Sequence, residues 1–386
     1  MRPETPPPDD LPALTSLRFG AALMIFVFHL REFAPSPLIY ALGPAMYHGV
    51  SFFFVLSGFV LTHVYSRRPT SVARFYLARV ARIVPLHLAT LALLIAVLPL
   101  PAARGQTLDP AITLVSFLAK ALMLDAWIPV RGILQSWNNV SWSISVEMAF
   151  YAAFPLLLVA MKKTIVGTLA VTALVCVAVF ALAIASGAPV FVVDRMTLTL
   201  FNLGSCFPLT RGFEFALGMA ASFAWQRRIA PAELSARLWT RIEGAALCLV
   251  ALWLVLAVPA LVSGSEGPLF VWMRASGSCW AFALLIVAMA GGRGAFSRVL
   301  ALRPFVALGE ASFAFYMVHM IVMRTLRFYL GPGPGALSAL AVSLSLAFLL
   351  HEAVEKPMRR RLLAAAPGTL APKAASPGLT PAPRRE

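Results

Sequence analysis

The sequence predicts an all-α, polytopic membrane protein of about ten transmembrane helices, and three observations predict it. The chain is 60% hydrophobic and only 12% charged, a balance that excludes a water-soluble domain. Its apolar residues gather into ten stretches, most of them close to the roughly 20 residues needed to cross a bilayer. Its cations cluster between alternate stretches, as the positive-inside rule requires of cytoplasmic loops.

The first span covers 14–33 and carries Arg18 and His29. The expectation is that it stays in the mature chain, because the Pro-rich polar start and the absence of a small-residue cleavage site do not read as a signal peptide. The two residues stand about three helical turns apart, so they share one helix face, separated by roughly 16 Å along the axis. An ionisable side chain inside a span is costly unless it meets a cavity or partner. Arg18 reads either as a snorkelling interfacial cation or as a site residue. His29 reads either as a structural interhelical hydrogen bond or as a general base, since imidazole suits proton transfer near neutral pH. The second span, 46–66, contains GVSFFFVLSGF at 49–59, in which Ser57-Gly58 offers a small surface for close helix approach.

The third span, 79–100, is preceded by an arginine-rich inner loop. Arg79 and Arg82, at i and i+3, project from one helix face, with Arg74 upstream. Paired guanidiniums hold phosphate through bidentate contacts, which fits anionic lipid headgroups or a phosphorylated cytosolic cofactor. The stretch 111–127 is short and carries Lys120 and Asp125, so it reads as an interfacial or re-entrant helix. Trp127 and Trp137, in the long outer segment of about 101–140, suit an interface.

The fourth span, 142–161, begins at Trp142 and carries Glu147, a carboxylate that needs a partner. His29 and His319 are expected at similar depth in the outer half, so Glu147 is expected to hydrogen-bond an imidazole and fix its tautomer. Spans follow at 164–186, 211–226, 243–262, 270–291, 304–325 (with His319) and 336–356. Cys176, Cys206, Cys248 and Cys279 show no metal or redox spacing and read as packing residues. His351-Glu352 and Glu355 close the last span, followed by cations that suit a helix C-terminus.

The net charge of +16 does not indicate nucleic acid. With the N-terminus cytoplasmic, Arg67, Arg68, Arg74, Arg79 and Arg82 share one inner loop, and later pairs and triplets fill the others; outer loops hold single cations such as Arg104, Lys120 and Arg195. Both termini then lie in the cytoplasm, and membrane lipids are the expected partners. Residues 1–12 and 362–386, rich in Pro and Ala, read as disordered tails around one membrane domain at 13–361.

Taken in order, six strings resemble the membrane acyltransferase family 3, the bacterial O-acyltransferases: Arg18-x10-His29, GVSFFFVLSGF, FYLARVARIVP at 75–85, WSISVEMAFY at 142–151, SFAFYMVH at 312–319 and HEAVEKPMRR at 351–360. The resemblance implies a multi-pass enzyme of the bacterial inner membrane. It would move an acyl group, acetyl foremost, from cytosolic acyl-CoA to a hydroxyl of a surface glycan, a lipid-linked sugar or a metabolite. It implies His29, Glu147 and Arg18 as catalytic residues, with Arg79, Arg82 and Arg74 binding the acyl-CoA and no metal. Ser51, His319 and Trp142 are assigned to the acceptor pocket. Many members carry Asp where this chain has Ser51, and an aromatic often follows the Glu where this chain has Met148-Ala149. Some relatives add an extracytoplasmic hydrolase-like domain, for which this chain shows no sequence. Two other readings remain: a transporter of a glycan or anionic metabolite, and an inactive acyl-CoA-binding scaffold.

Overall fold

A computed structural model describes residues 10–67, 70–104, 110–192, 194–230, 232–257, 267–331 and 335–365. In chain order its helices begin with α1 (Pro12–Phe33), α2 (Pro37–Tyr47), α3 (Gly49–Tyr65), α4 (Val72–Val97), α5 (Leu100–Arg104), α6 (Pro110–Ala121), α7 (Arg131–Leu134), α8 (Trp142–Lys163) and α9 (Ile165–Ala185). They continue with α10 (Leu200–Cys206), α11 (Pro208–Ala224), α12 (Ala236–Leu252), α13 (Pro268–Ser276), α14 (Cys279–Met289), α15 (Ala295–Leu300), α16 (Arg303–Glu310), α17 (Ser312–Leu330), α18 (Ala336–Leu350) and α19 (Lys356–Ala364). Among the described residues the β-structure is one isolated bridge, Val130 to Leu198. The chain is an all-α, multi-pass membrane protein. The expected tails lie outside the described residues except at their inner edges, where helix begins at Pro12 and runs to Ala364.

Among the described residues eight helical stretches are long and apolar enough to cross a membrane, or nine if α16 and α17 count as one span. That pair departs from the continuous span expected at 304–325, because the chain bends by 60° between Glu310 and Ser312. Gly309 lies so close to the Thr15 carbonyl that a Cβ there would collide with it, and the Ser312 hydroxyl donates to the Gly309 carbonyl at 2.6 Å. The remaining expected span, 211–226, is α11, whose 17 residues fall just short of the others. It is wrapped by α3, α8, α9 and α14 and carries a buried ion pair between Arg211 and Glu214 at 2.9 Å. A helix shielded from lipid in this way can carry charge that a lipid-facing one cannot.

The close approach anticipated at Ser57-Gly58 lies between α3 and α11. A Cβ on Gly58 would run into the backbone carbonyl of Phe215, and one on Gly218 into that of Val55. Small residues let the backbones meet, so van der Waals contact holds the pair where no hydrophobic driving force operates.

The segment after α5 folds into the mouth of the bundle. Lys120 is fully buried and donates to Asp125 at 2.6 Å and to the Leu134 carbonyl at 2.8 Å. Trp127 is exposed, as an interface residue would be. Trp137 is not: it is buried, with its indole N–H donating to Ser116 at 3.0 Å. Arg324 of α17 pins the segment by donating to the carbonyls of Trp137 at 2.6 Å and Ala103 at 2.8 Å. Three cysteines are buried and Cys248 is exposed.

Candidate active site

Two chambers lie one behind the other along α1. The inner one, about 220 Å³, is lined by Arg18, Arg79, Arg82, Glu147, Tyr151 and Ser57, with Phe53, Phe54 and Phe313 among its apolar walls. Each element delivers its residue for a local reason. Pro12 occupies the first turn of α1, where it has no amide to lose, and Arg18 follows on the face turned inward. The Ser71 hydroxyl accepts from the Arg74 amide at 3.3 Å, capping α4 so that Arg79 and Arg82 project about two and three turns later.

This chamber sets three guanidiniums, Arg18, Arg79 and Arg82, against two carboxylates, Glu147 and Asp10. Arg18 lies within electrostatic reach of Arg82, Glu147 and Tyr151, and of Glu355 at the end of the last span. The Arg79 guanidinium stands 5.7 Å from the Tyr151 ring and 5.9 Å from those of Tyr65 and Phe75. Its Nε is buried and, among the described residues, has no hydrogen-bond partner. A rigid guanidinium held by rings with a donor to spare is suited to a phosphate oxygen. Arg74 stays exposed on the first turn of α4 and does not line the chamber.

Glu147 is where the structure departs most from expectation. Its carboxylate accepts from the Tyr151 hydroxyl and, at 3.4 Å, from Ser57. It therefore belongs with the guanidiniums and does not pair with His29. The physical reason is that α8 runs inward from Trp142, which lines the outer chamber, so Glu147 lies about 7.5 Å further along at 1.5 Å per residue.

The outer chamber, about 250 Å³, contains His29, Trp142, Tyr47, Arg31, Glu32 and Arg131, together with the amides Gln135, Asn139 and Asn202. The partner of His29 is His319. The His319 Nδ1 lies 2.7 Å from the Tyr316 carbonyl, which can only accept, so the proton sits on Nδ1 and Nε2 is an acceptor. That Nε2 is 3.1 Å from His29 Nδ1, which is also 3.0 Å from the Ile25 carbonyl. Both contacts require His29 to carry its proton on Nδ1. Nε2 is then the basic nitrogen left for the chamber. The sequence placed His319 in the acceptor pocket; its i+3 spacing from Tyr316 was the signal for this relay.

Ser51 does not reach the chamber. It is fully buried and donates to Glu214 at 2.5 Å, within the α3–α11 contact. Glu214 itself lies in a part of the sequence that carried no motif. Glu355 pairs with His351 at 2.8 Å. Among the described residues no three His, Cys, Asp or Glu side chains converge as a metal site would need.

The chain matches the model of the acyltransferase-domain family over residues 11–352. It is 32% identical to acyltransferase MdmB of Streptomyces mycarofaciens, over 92% of this chain and 95% of that protein. It is 31% identical to the exopolysaccharide production protein ExoZ of Rhizobium meliloti, but over 28% of this chain and 32% of that one. A segment covering 23% of the chain is 39% identical to protein 2 in the picA locus of Rhizobium radiobacter, covering 47% of it. No solved structure matches.

Proposed function

The chain belongs to the acyltransferase-domain family and is an acyl-transferring enzyme, and from that premise we propose that it moves an acetyl group from cytosolic acetyl-CoA to an acceptor hydroxyl in the bacterial inner membrane. The observation that carries this reading is the convergence of Arg18, Arg79 and Arg82 in one chamber directly behind the chamber of His29. The phosphates of the donor would dock on the guanidiniums, and the pantetheine arm would extend between Phe53, Phe54 and Phe313. Arg74, exposed at the cytosolic mouth, would add long-range attraction for the same phosphates.

In the transfer step the acceptor hydroxyl oxygen bonds to the thioester carbon, and its proton passes to His29 Nε2. The carbon–sulfur bond breaks, and the proton moves from His29 to the thiolate, leaving the acyl ester and free CoA thiol. His319 stabilises the imidazolium through the Nδ1 contact at 3.1 Å. Acyl transfer by way of His29 itself, through an acyl-imidazole, uses the same nitrogen. Trp142 and the three amides suit a hydroxyl-rich acceptor, an aromatic face beside paired donors and acceptors. The name of the Rhizobium meliloti relative places that protein in exopolysaccharide production, which favours a glycan or lipid-linked sugar over a metabolite.

The test is transfer of labelled acetyl from acetyl-CoA in membranes holding the wild type or His29→Ala, with hydroxylamine-sensitive products resolved by mass spectrometry. Label on an acceptor with the wild type alone supports the proposal and names the acceptor. Equal labelling by well-expressed His29→Ala would remove the base from the mechanism.

A further inference from the structure

The two chambers are adjacent, separate cavities, and among the described residues Val50 and Tyr316 are the side chains that line both. Tyr316 is 5% exposed. Its hydroxyl lies 2.8 Å from the Ser143 hydroxyl and 3.1 Å from the Val140 carbonyl, so it donates to one and pairs with the other. Val140 stands in the turn that leads into α8 and Ser143 in the first turn of α8 itself, so the phenol bridges from α17 to a different helix. Phe53 meets the ring edge-on at 5.9 Å. The phenol is held by two neutral hydrogen bonds, and their exchange for other partners is the least costly way to move it. The backbone carbonyl of Tyr316 is held separately by His319, so the ring can swing without disturbing the imidazole relay.

We infer that Tyr316, backed by Val50, is the barrier an acyl group must pass to reach His29, and that it sets the acyl length delivered and keeps cytosolic water from the base. This rests on the donor and acceptor chambers proposed above. The chemistry it suppresses is hydrolysis. With the ring absent, a water oxygen bonds to the thioester carbon, the carbon–sulfur bond breaks, and the water proton passes through His29 to the thiolate. The products are a free carboxylic acid and CoA thiol. Excluding water in this way is a general use of active-site closure.

The experiment compares Tyr316→Ala, Tyr316→Phe and Val50→Ala with the wild type as full-length purified protein, using acetyl-CoA and octanoyl-CoA with and without acceptor. Tyr316→Ala should release CoA thiol without acceptor several-fold faster than the wild type and accept octanoyl-CoA better relative to acetyl-CoA. Tyr316→Phe keeps the ring but loses the hydroxyl contacts, so it should leak while retaining the chain-length limit. Val50→Ala should shift the limit in the same direction as Tyr316→Ala, and it stands in if that variant folds poorly. Wild-type coupling and wild-type chain preference in Tyr316→Ala and Val50→Ala together would overturn the inference.

A second readout does not depend on the donor. Asn139→Cys, in a background with Cys176, Cys206, Cys248 and Cys279 changed to serine, places a thiol in the outer chamber. In inside-out vesicles, a membrane-impermeant maleimide should label it only when Tyr316→Ala is also present. Equal labelling with and without Tyr316→Ala refutes the barrier. A wild type that turns over no acyl-CoA, with labelling still gated by Tyr316, would fault the donor reading and leave the barrier standing.

Discussion

Replacing His319 with alanine deletes the acceptor 3.1 Å from His29 Nδ1 but leaves the Ile25 carbonyl at 3.0 Å. The tautomer of His29 is therefore still fixed, and the loss falls on the imidazolium formed during transfer. A neutral hydrogen bond contributes about 1 kcal/mol net, and a charge-assisted one roughly twice that. The difference of about 1 kcal/mol exists only once His29 holds the acceptor's proton, so it should appear as a loss of roughly tenfold or somewhat less in kcat. His29→Ala removes the base and should cost about 10²–10⁴-fold. The assay is steady-state acetyl transfer with acetyl-CoA varied at saturating acceptor. KM for the donor should not move in His319→Ala, because Arg18, Arg79 and Arg82 are untouched. His319→Gln, whose side-chain oxygen can accept from Nδ1, should recover part of the loss. An unchanged kcat in His319→Ala would refute the relay, and a loss as deep as that of His29→Ala would make His319 the base.

Changing Arg79 and Arg82 together to alanine should raise the donor KM by about tenfold or more for each lost guanidinium–phosphate contact of roughly 1.5–3 kcal/mol; isotope-dilution binding of acetyl-CoA checks this, with Arg74→Ala expected to weaken binding far less, since it loses only a long-range attraction. Gly58→Ala puts a methyl against the Phe215 carbonyl and should destabilise by about 1–3 kcal/mol, read as a lower unfolding temperature in detergent. Glu214→Ala leaves Arg211 buried without its carboxylate, and should cost about 3–5 kcal/mol and much of the folded protein seen by size-exclusion chromatography. Ser51→Asp should be destabilising alone, since it sets a second carboxylate beside Glu214, and Ser51→Asp with Glu214→Gln should fold better than the single change.

The fold was legible wherever hydropathy, charge placement and small-residue spacing act locally. Spans such as 14–33 and 164–186 follow from apolar length alone, and Gly58 announced a close helix contact. Sequence could not show that α11 packs inside the bundle, because Arg211 and Glu214 look unfavourable in a helix until they are seen to pair. Nor could it show the bend at Ala311, which depends on Gly309 resting against a carbonyl of α1, some 290 positions away in the chain. Trp137 was misplaced for the same reason: its indole packs on Ser116 and Phe117, some twenty positions earlier, and its carbonyl accepts from Arg324 of another helix.

The site divides along the same line. Spacing within single helices put Arg18 and His29 on one face of α1 and Arg79 with Arg82 on one face of α4, and the three arginines line one chamber while His29 lines the other. Partner identity did not follow from that spacing, because depth in the membrane was inferred from where each hydrophobic stretch begins. Trp142 already stands in the chamber of His29, so Glu147, five residues and about 7.5 Å further along α8, has passed that histidine by an offset of more than a turn. Correcting that offset moves Glu147 to the guanidiniums and leaves His319 for His29. The Ser51 departure gains a physical account from the same contacts. Ser51 donates to Glu214 of the neighbouring α11 at 2.5 Å, so a carboxylate stands beside that position although the residue itself is a hydroxyl. That same carboxylate compensates Arg211, fully buried at 2.9 Å from it, so an acid at position 51 would add a second charge where one already balances the guanidinium.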